Sequence, residues 1–105
     1  MIQAKFLSTD NKLSGFSVSG HGTVNENDWD GRLICSAVSS AVFMAVNTIT
    51  DVIGAKIDYH DNGDEFSVKV LTNHEKAEVI LKGLELHLNG LKEEYKNKIT
   101  IISEV

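Results

Sequence analysis

Eighteen consecutive residues, Leu33 to Thr50, carry no charge, and this run constrains the fold more than any other stretch of the chain. Ile34, Val38, Ala41, Val42, Ala45, Ile49 and Val52 recur at three- and four-residue intervals, which places them on one stripe of an α-helix. A helix without a charged face is expected to be buried. Six side chains in the run, Ser36, Ser39, Ser40, Asn47, Thr48 and Thr50, carry a hydroxyl or an amide. That polarity argues against a membrane span, which needs a predominantly apolar stretch of similar length.

The flanking segments supply the surface such a helix needs. Ile2, Ala4 and Phe6 alternate with Gln3 and Lys5, and Phe16 and Val18 alternate with Ser17 and Ser19. Two half-buried strands are predicted, joined by the polar residues 9–12 into a hairpin. Ile57 and Tyr59 then alternate with Asp58 and His60, and Phe66, Val68 and Val70 with Ser67 and Lys69. Between them Asn62-Gly63 is the strongest hairpin signal in the chain, and a tight turn of that type requires positive φ at both central residues. A second helix is predicted over residues 73–96, with Ala77, Ile80, Leu81, Leu84, Leu88, Leu91 and Tyr95 on one face. Thr72-Asn73-His74-Glu75 matches a capping box at its start. Residues 98–104 read as a last strand. The order ββαββαβ is that of an α+β fold, with a largely antiparallel or mixed sheet packed against two helices.

At 105 residues the chain fits one domain, 1–105, with a single core that buries roughly 60–70% of the unfolded surface. Hydrophobic residues make up 42% and charged residues 24%, a globular composition. A net charge of −5 leaves no basic surface to neutralise phosphates, so direct nucleic-acid binding is not expected. One cysteine cannot form an internal disulfide, and the opening MIQAKFLSTD has no apolar run of the kind a signal peptide needs. A cytoplasmic setting follows as the expectation.

That one cysteine, Cys35, falls in the first turn of the predicted uncharged helix. Thiols react as thiolates, and the unpaired amides at a helix start favour an anion. His21, held between Gly20 and Gly22 directly after the second strand, is the candidate general base, since an adjacent imidazole activates a thiol. Glycine neighbours permit tight backbone there. The competing reading is that Cys35 is a small core residue and His21 a structural or solvated one. Placement at the edge of the apolar stripe, with Ser39 one turn along, favours the nucleophile.

Other candidates carry less. Cys35, His21, His60, His74 and His87 include no Cys-x-x-Cys or His-x-x-x-His pair, so neither a metal nor another cofactor is expected. His60 is assigned to a polar strand face, His74 to a helix cap and His87 to the border of the Leu84 and Leu91 face. Trp29 is assigned to the loop 22–32 as a partly buried aromatic or a gate to the site. The carboxylates of DNGDE are assigned to a turn.

Gly20-His21-Gly22, the Cys35-Ser36-Ala37-Val38-Ser39 helix start and the later Asp58-Tyr59 and Asp61-Asn62-Gly63 hairpin together resemble the ribosomal-processing cysteine protease (Prp) family over nearly the full length. The resemblance implies a cysteine endopeptidase that removes a short N-terminal extension from a bacterial large-subunit ribosomal protein, and a homodimer. It implies Cys35 as nucleophile and His21 as general base. Oxyanion donors are expected around Cys35 and Ser36 at the helix start, with Ser39 nearby. Arg32 stands where the family usually has an acidic residue, three positions before the cysteine, and the segment TVNENDWDG is longer than usual. Asp30, or next Asp28, is then the candidate that orients the imidazole. The reading from a different class is a module that binds the ribosomal protein without cutting it, with a structural cysteine.

Overall fold

The computed structural model describes residues 1–20 and 27–104, apart from the side chain of Glu104. The elements follow the expected order: β1 (Ile2–Thr9), β2 (Lys12–Ser19), α1 (Trp29–Asn47), a π turn (Thr48–Val52), β3 (Ile57–Asp61), β4 (Glu65–Val70), α2 (His74–Glu94) and β5 (Ile99–Glu104). They build one five-stranded sheet in the order β3-β4-β2-β1-β5. Only β1 and β5 run parallel; the other pairs are antiparallel, so the sheet is mixed.

Strand alternation sends one set of side chains to the helices. Ile2, Ala4 and Phe6 of β1 are buried there, with Phe16 of β2 and Val68 and Val70 of β4. Phe6 lies opposite Phe16 in the register, and Phe16 opposite Val68. Helix α2 closes the layer with Ala77, Leu81, Leu84 and Leu88, and α1 with Ile34, Val38 and Ala45, followed by Ile49. Each large aliphatic or aromatic side chain so buried contributes about 1.5–3 kcal/mol. The opposite face of the β3-β4 end carries exposed Asp58, His60 and Lys69.

Several local expectations are corrected. The tight turn with positive φ at both central residues is at Asp10 (54°) and Asn11 (66°); at the second hairpin only Gly63 is positive, at 90°. Asn62 instead uses Oδ1 to accept the amides of Asp64 and Glu65, at 2.9 and 2.8 Å, which widens the loop. The capping box does not form. Asn73 precedes α2 in a left-handed conformation with no side-chain cap, and the Thr72 hydroxyl accepts the Lys56 amide at 2.7 Å, tying α2 to the segment before β3.

Helix α1 is not buried all round. Leu33, Phe43 and Met44 are exposed, as are Ser36, Ser39 and Ser40. By length and composition alone the run Trp29–Val52 passes for a membrane span, but one flank of it forms part of the protein core. Val52, assigned to that flank, is 79% exposed. The cause is the π turn: Ile53 donates to Thr48 O, five residues back, at 2.9 Å. The extra residue rotates Val52 outward and brings Ile53 against the core.

Candidate active site

Helix α1 starts earlier than its apolar pattern indicates, and this changes the helical positions of Trp29, Asp30, Arg32 and Cys35. Asp28 is the N-cap, its Oδ1 accepting the Gly31 amide at 2.9 Å. Its carbonyl accepts the Arg32 amide at 3.1 Å. Trp29, Asp30 and Arg32 are therefore helical and not part of a loop. Trp29 is 68% exposed, not partly buried, and the Arg32 guanidinium lies 5.3 Å from its ring centroid. A cation over an aromatic face is attracted to the ring's negative quadrupole, so Arg32 is turned toward Trp29.

Cys35 accordingly belongs to the second turn and not the first. Past the first turn, α-helical amides donate to the carbonyl four residues back, which assigns those of Cys35 and Ser36 to Gly31 and Arg32. An oxyanion hole cannot draw on these two amides without opening the helix. The Cys35 side chain is half-buried and packs against the core cluster, at the boundary between core and surface. Ser36 and Ser39 are both exposed; Ser39, four residues on, shares the flank of Cys35.

Along that flank lies a groove lined by Val18, Val38, Ser39, Val42, Phe43, Asp61 and Phe66. Of this lining, Phe66 belongs to a row of aromatic rings across β1, β2, β4 and β3: Phe6 to Phe16 at 6.2 Å between centroids, Phe16 to Phe66 at 6.3 Å and Phe66 to Tyr59 at 6.2 Å. Asp61 sits at the rim, where its Oδ1 accepts the Gly63 amide at 3.0 Å. The groove is apolar except at that edge and at Ser39, and it begins one turn beyond Cys35.

His21 and Gly22 lie outside the described residues. Gly20, the last described residue before them, has φ +83°, and a methyl placed on it would collide with the Met1 carbonyl oxygen. Its amide donates to Asp64 O at 3.4 Å. Both contacts fix the end of β2 from which the chain passes to His21. Of the candidate orienters, Asp30 is exposed. Asp28 is largely shielded and its Oδ2 takes a hydrogen bond from Lys98 Nζ at 2.7 Å. His60 is exposed on β3, 3.5 Å from Asp58. His74 opens α2, and His87 borders a cleft between α1 and α2 with Met44 and Leu91. Among the described residues no three His, Cys, Asp or Glu side chains converge as a metal site.

Lys98 and the groove residues from β2 and β4 escaped the sequence reading. Lys98 lies seventy residues from Asp28, beyond any local pattern. Val18 and Phe66 are visible in the sequence only as members of alternating strands.

The sequence pattern of the family described as cysteine protease Prp matches residues 1–100. A protein of Staphylococcus aureus (strain Mu50) named ribosomal processing cysteine protease Prp is 29% identical over 98 residues, spanning 90% of this chain and 91% of that one. The fold superposes on the crystal structure of an essential ribosomal processing protease Prp from S. aureus in complex with a substrate peptide, with a TM-score of 0.85 at 22% identity, covering 99% of this chain and 100% of the other. A second structure of the S. aureus protease, with a covalently linked product peptide, gives 0.76 at 27% identity and the same coverage.

Proposed function

Because the chain belongs to the cysteine protease Prp family, we propose that it is a single-domain cysteine endopeptidase that removes the short N-terminal extension of a bacterial large-subunit ribosomal protein. Cys35 is the nucleophile and His21 the general base. The observation that carries this reading is Cys35, the one thiol of the chain, half-buried on α1 one turn before the groove residue Ser39, in a protein matched to the family over nearly its whole length.

In the proposed reaction His21 takes the thiol proton and the Cys35 Sγ attacks the scissile carbonyl carbon, giving a tetrahedral oxyanion. Collapse breaks the C–N bond, and the imidazolium gives its proton to the leaving amine. The acyl group is held on Cys35 as a thioester. Water, deprotonated by His21, then releases the new carboxylate and restores the thiol. The covalently linked product peptide on the S. aureus relative fits a route through an acyl-enzyme. The groove takes an apolar side chain of the substrate beside the scissile bond, which holds the carbonyl within reach of Sγ. With the Cys35 and Ser36 amides engaged in the helix, the Ser39 hydroxyl is the donor on the correct flank for the oxyanion. No cofactor is required.

The partner of the site is thus a peptide segment and not nucleic acid, in keeping with the net charge of −5. A thiol that must stay reduced suits the cytoplasm, where ribosomal proteins are made. We also assign the exposed apolar surface of α1 away from that groove, with Leu33 and Met44 at 53% and 65% exposure, to a homodimer contact, because apolar surface of that kind calls for a cover.

Incubation with the same organism's ribosomal protein, carrying its N-terminal extension, tests the reading. The protein is expected to shorten it, and Cys35→Ala to bind it uncut. Binding without cleavage by both would instead identify a non-catalytic ribosomal-protein-binding module with a structural cysteine.

A further inference from the structure

Lys98 Nζ and Asp28 Oδ2 are 2.7 Å apart, and the two side chains are only 25% and 12% exposed. Exposed ion pairs contribute little. This one is largely shielded from solvent, where screening is weaker. Both residues also sit at junctions of the fold. Asp28 caps α1 through Oδ1 and through its carbonyl. The Lys98 carbonyl accepts the Ile2 amide at 2.9 Å and its amide donates to Tyr95 O at 3.2 Å, so its backbone is fixed between the start of β1 and the end of α2.

These contacts share one corner of the sheet. Ile2 is registered with Ile99, Gln3 with Ser19, and Gly20 lies against the Met1 carbonyl. The corner that holds Lys98 is therefore the one from which the chain leaves β2 toward His21. The Asp28 side chain binds the first turn of α1 to that corner.

From this juxtaposition we infer that Lys98, acting through Asp28, is a positioning residue for the nucleophile. Cys35 follows Asp28 by seven residues, about 10 Å along a stiff helix at 1.5 Å per residue. Any slide or tilt of α1 at its cap is carried to Sγ as a displacement from the corner where β2 ends. A misplacement of about 1 Å between reacting groups costs up to about a hundredfold in rate. The role of Asp28 is thereby to place the helix. The inference rests on Cys35 being the nucleophile, and the test separates the two.

Lys98→Met keeps most of the stem and removes the charge; Asp28→Asn removes the charge and keeps a good N-cap. For each, and for the double variant, cleavage of the extended ribosomal protein gives kcat and KM, and iodoacetamide gives the alkylation rate of Cys35, which needs no peptidase activity. We expect each single variant to lower kcat about tenfold with KM within about twofold, and to change the alkylation rate at least about threefold. The double variant is expected to be no worse than the worse single one, as coupled partners require. Lys98→Arg restores most of kcat, because it keeps the charge. Lys82→Met, which removes a 66% exposed lysine 3.8 Å from Glu78, leaves every readout unchanged. If Lys98→Met fails to fold, Lys98→Gln takes its place. Multiplying effects in the double variant, loss of kcat on Asp28→Asn but not on Lys98→Met, or an unchanged alkylation rate would each overturn the positioning role. If the unaltered protein cuts nothing, the peptidase reading fails by itself, and the alkylation rates decide: a shared, non-additive shift upholds the clamp on α1, and no shift rejects it.

Discussion

The backbone amide of Leu13 donates to Oε2 of Glu78 at 2.8 Å, joining the start of β2 to α2 across sixty-five residues of sequence. Glu78 is 15% exposed, and its other oxygen faces Lys82 at 3.8 Å. A hydrogen bond to a charged acceptor contributes about 1.5–3 kcal/mol, and removal of the acceptor leaves a partly buried amide unpaired. Glu78→Ala is expected to lose about that much stability in urea unfolding, against less than about 0.5 kcal/mol for Lys82→Ala. Equal losses would show that the surface pair matters as much as the amide.

Gly20 and Gly63 both have positive φ, but only at Gly20 does a methyl meet a backbone atom. Gly63→Ala is expected to cost about 1–2 kcal/mol from its backbone conformation alone, with cleavage unaffected. Gly20→Ala adds a collision with Met1 and shifts the chain just before His21. A larger loss of stability and at least about a tenfold fall in kcat are expected there. Matching effects from the two substitutions would remove Gly20 from the placement of the base.

Asp30 is exposed in the first turn of α1, where a carboxylate is favoured by the helix dipole and is open to an imidazole. Arg32 cannot accept a ring N–H, since a guanidinium only donates. Asp30→Asn is expected to lower kcat about tenfold, or about 1.4 kcal/mol, with the unfolding midpoint nearly unchanged. Full activity in this variant and in Asp28→Asn alike would reject both orienters and leave His21 and Cys35 to act as a dyad.

The exposed apolar flank of α1 predicts self-association. Sedimentation at tens of micromolar, a concentration that reports moderate affinities, is expected to show a dimer. Met44→Glu places a charge on that flank and is expected to shift the species to monomer. A monomer for the unaltered protein would remove the dimer contact from α1.

The parts of this molecule legible in its sequence are those set by short-range pattern. Alternation at Ile2–Phe6 and Phe66–Val70 located strands, and the 3.6-residue stripe located both helices. Cys35 at the stripe's edge is half-buried, as its helical projection implies. The start of α1 was misplaced because Trp29-Asp30-Gly31-Arg32 has no apolar period; Asp28 caps it through Gly31, without the glutamate that marks a capping box. Thr72 and Glu75 do complete that mark, but the hydroxyl is taken by Lys56, a tertiary partner no local rule contains. The parallel pairing of β1 with β5 and the Lys98 contact to Asp28 join the two ends of the chain, and only the closed sheet brings them together.

The π turn at Thr48–Val52 also bears on how this chain can change length. It holds one residue more than α-helical winding needs, and the core on either side, Ala45 before it and Ala55 after it, is buried all the same. A one-residue deletion inside the turn would return the helix to ordinary winding while leaving the Cys35 end in register. The spare residue makes this a point where the helix can shorten by one residue without moving its Cys35 end.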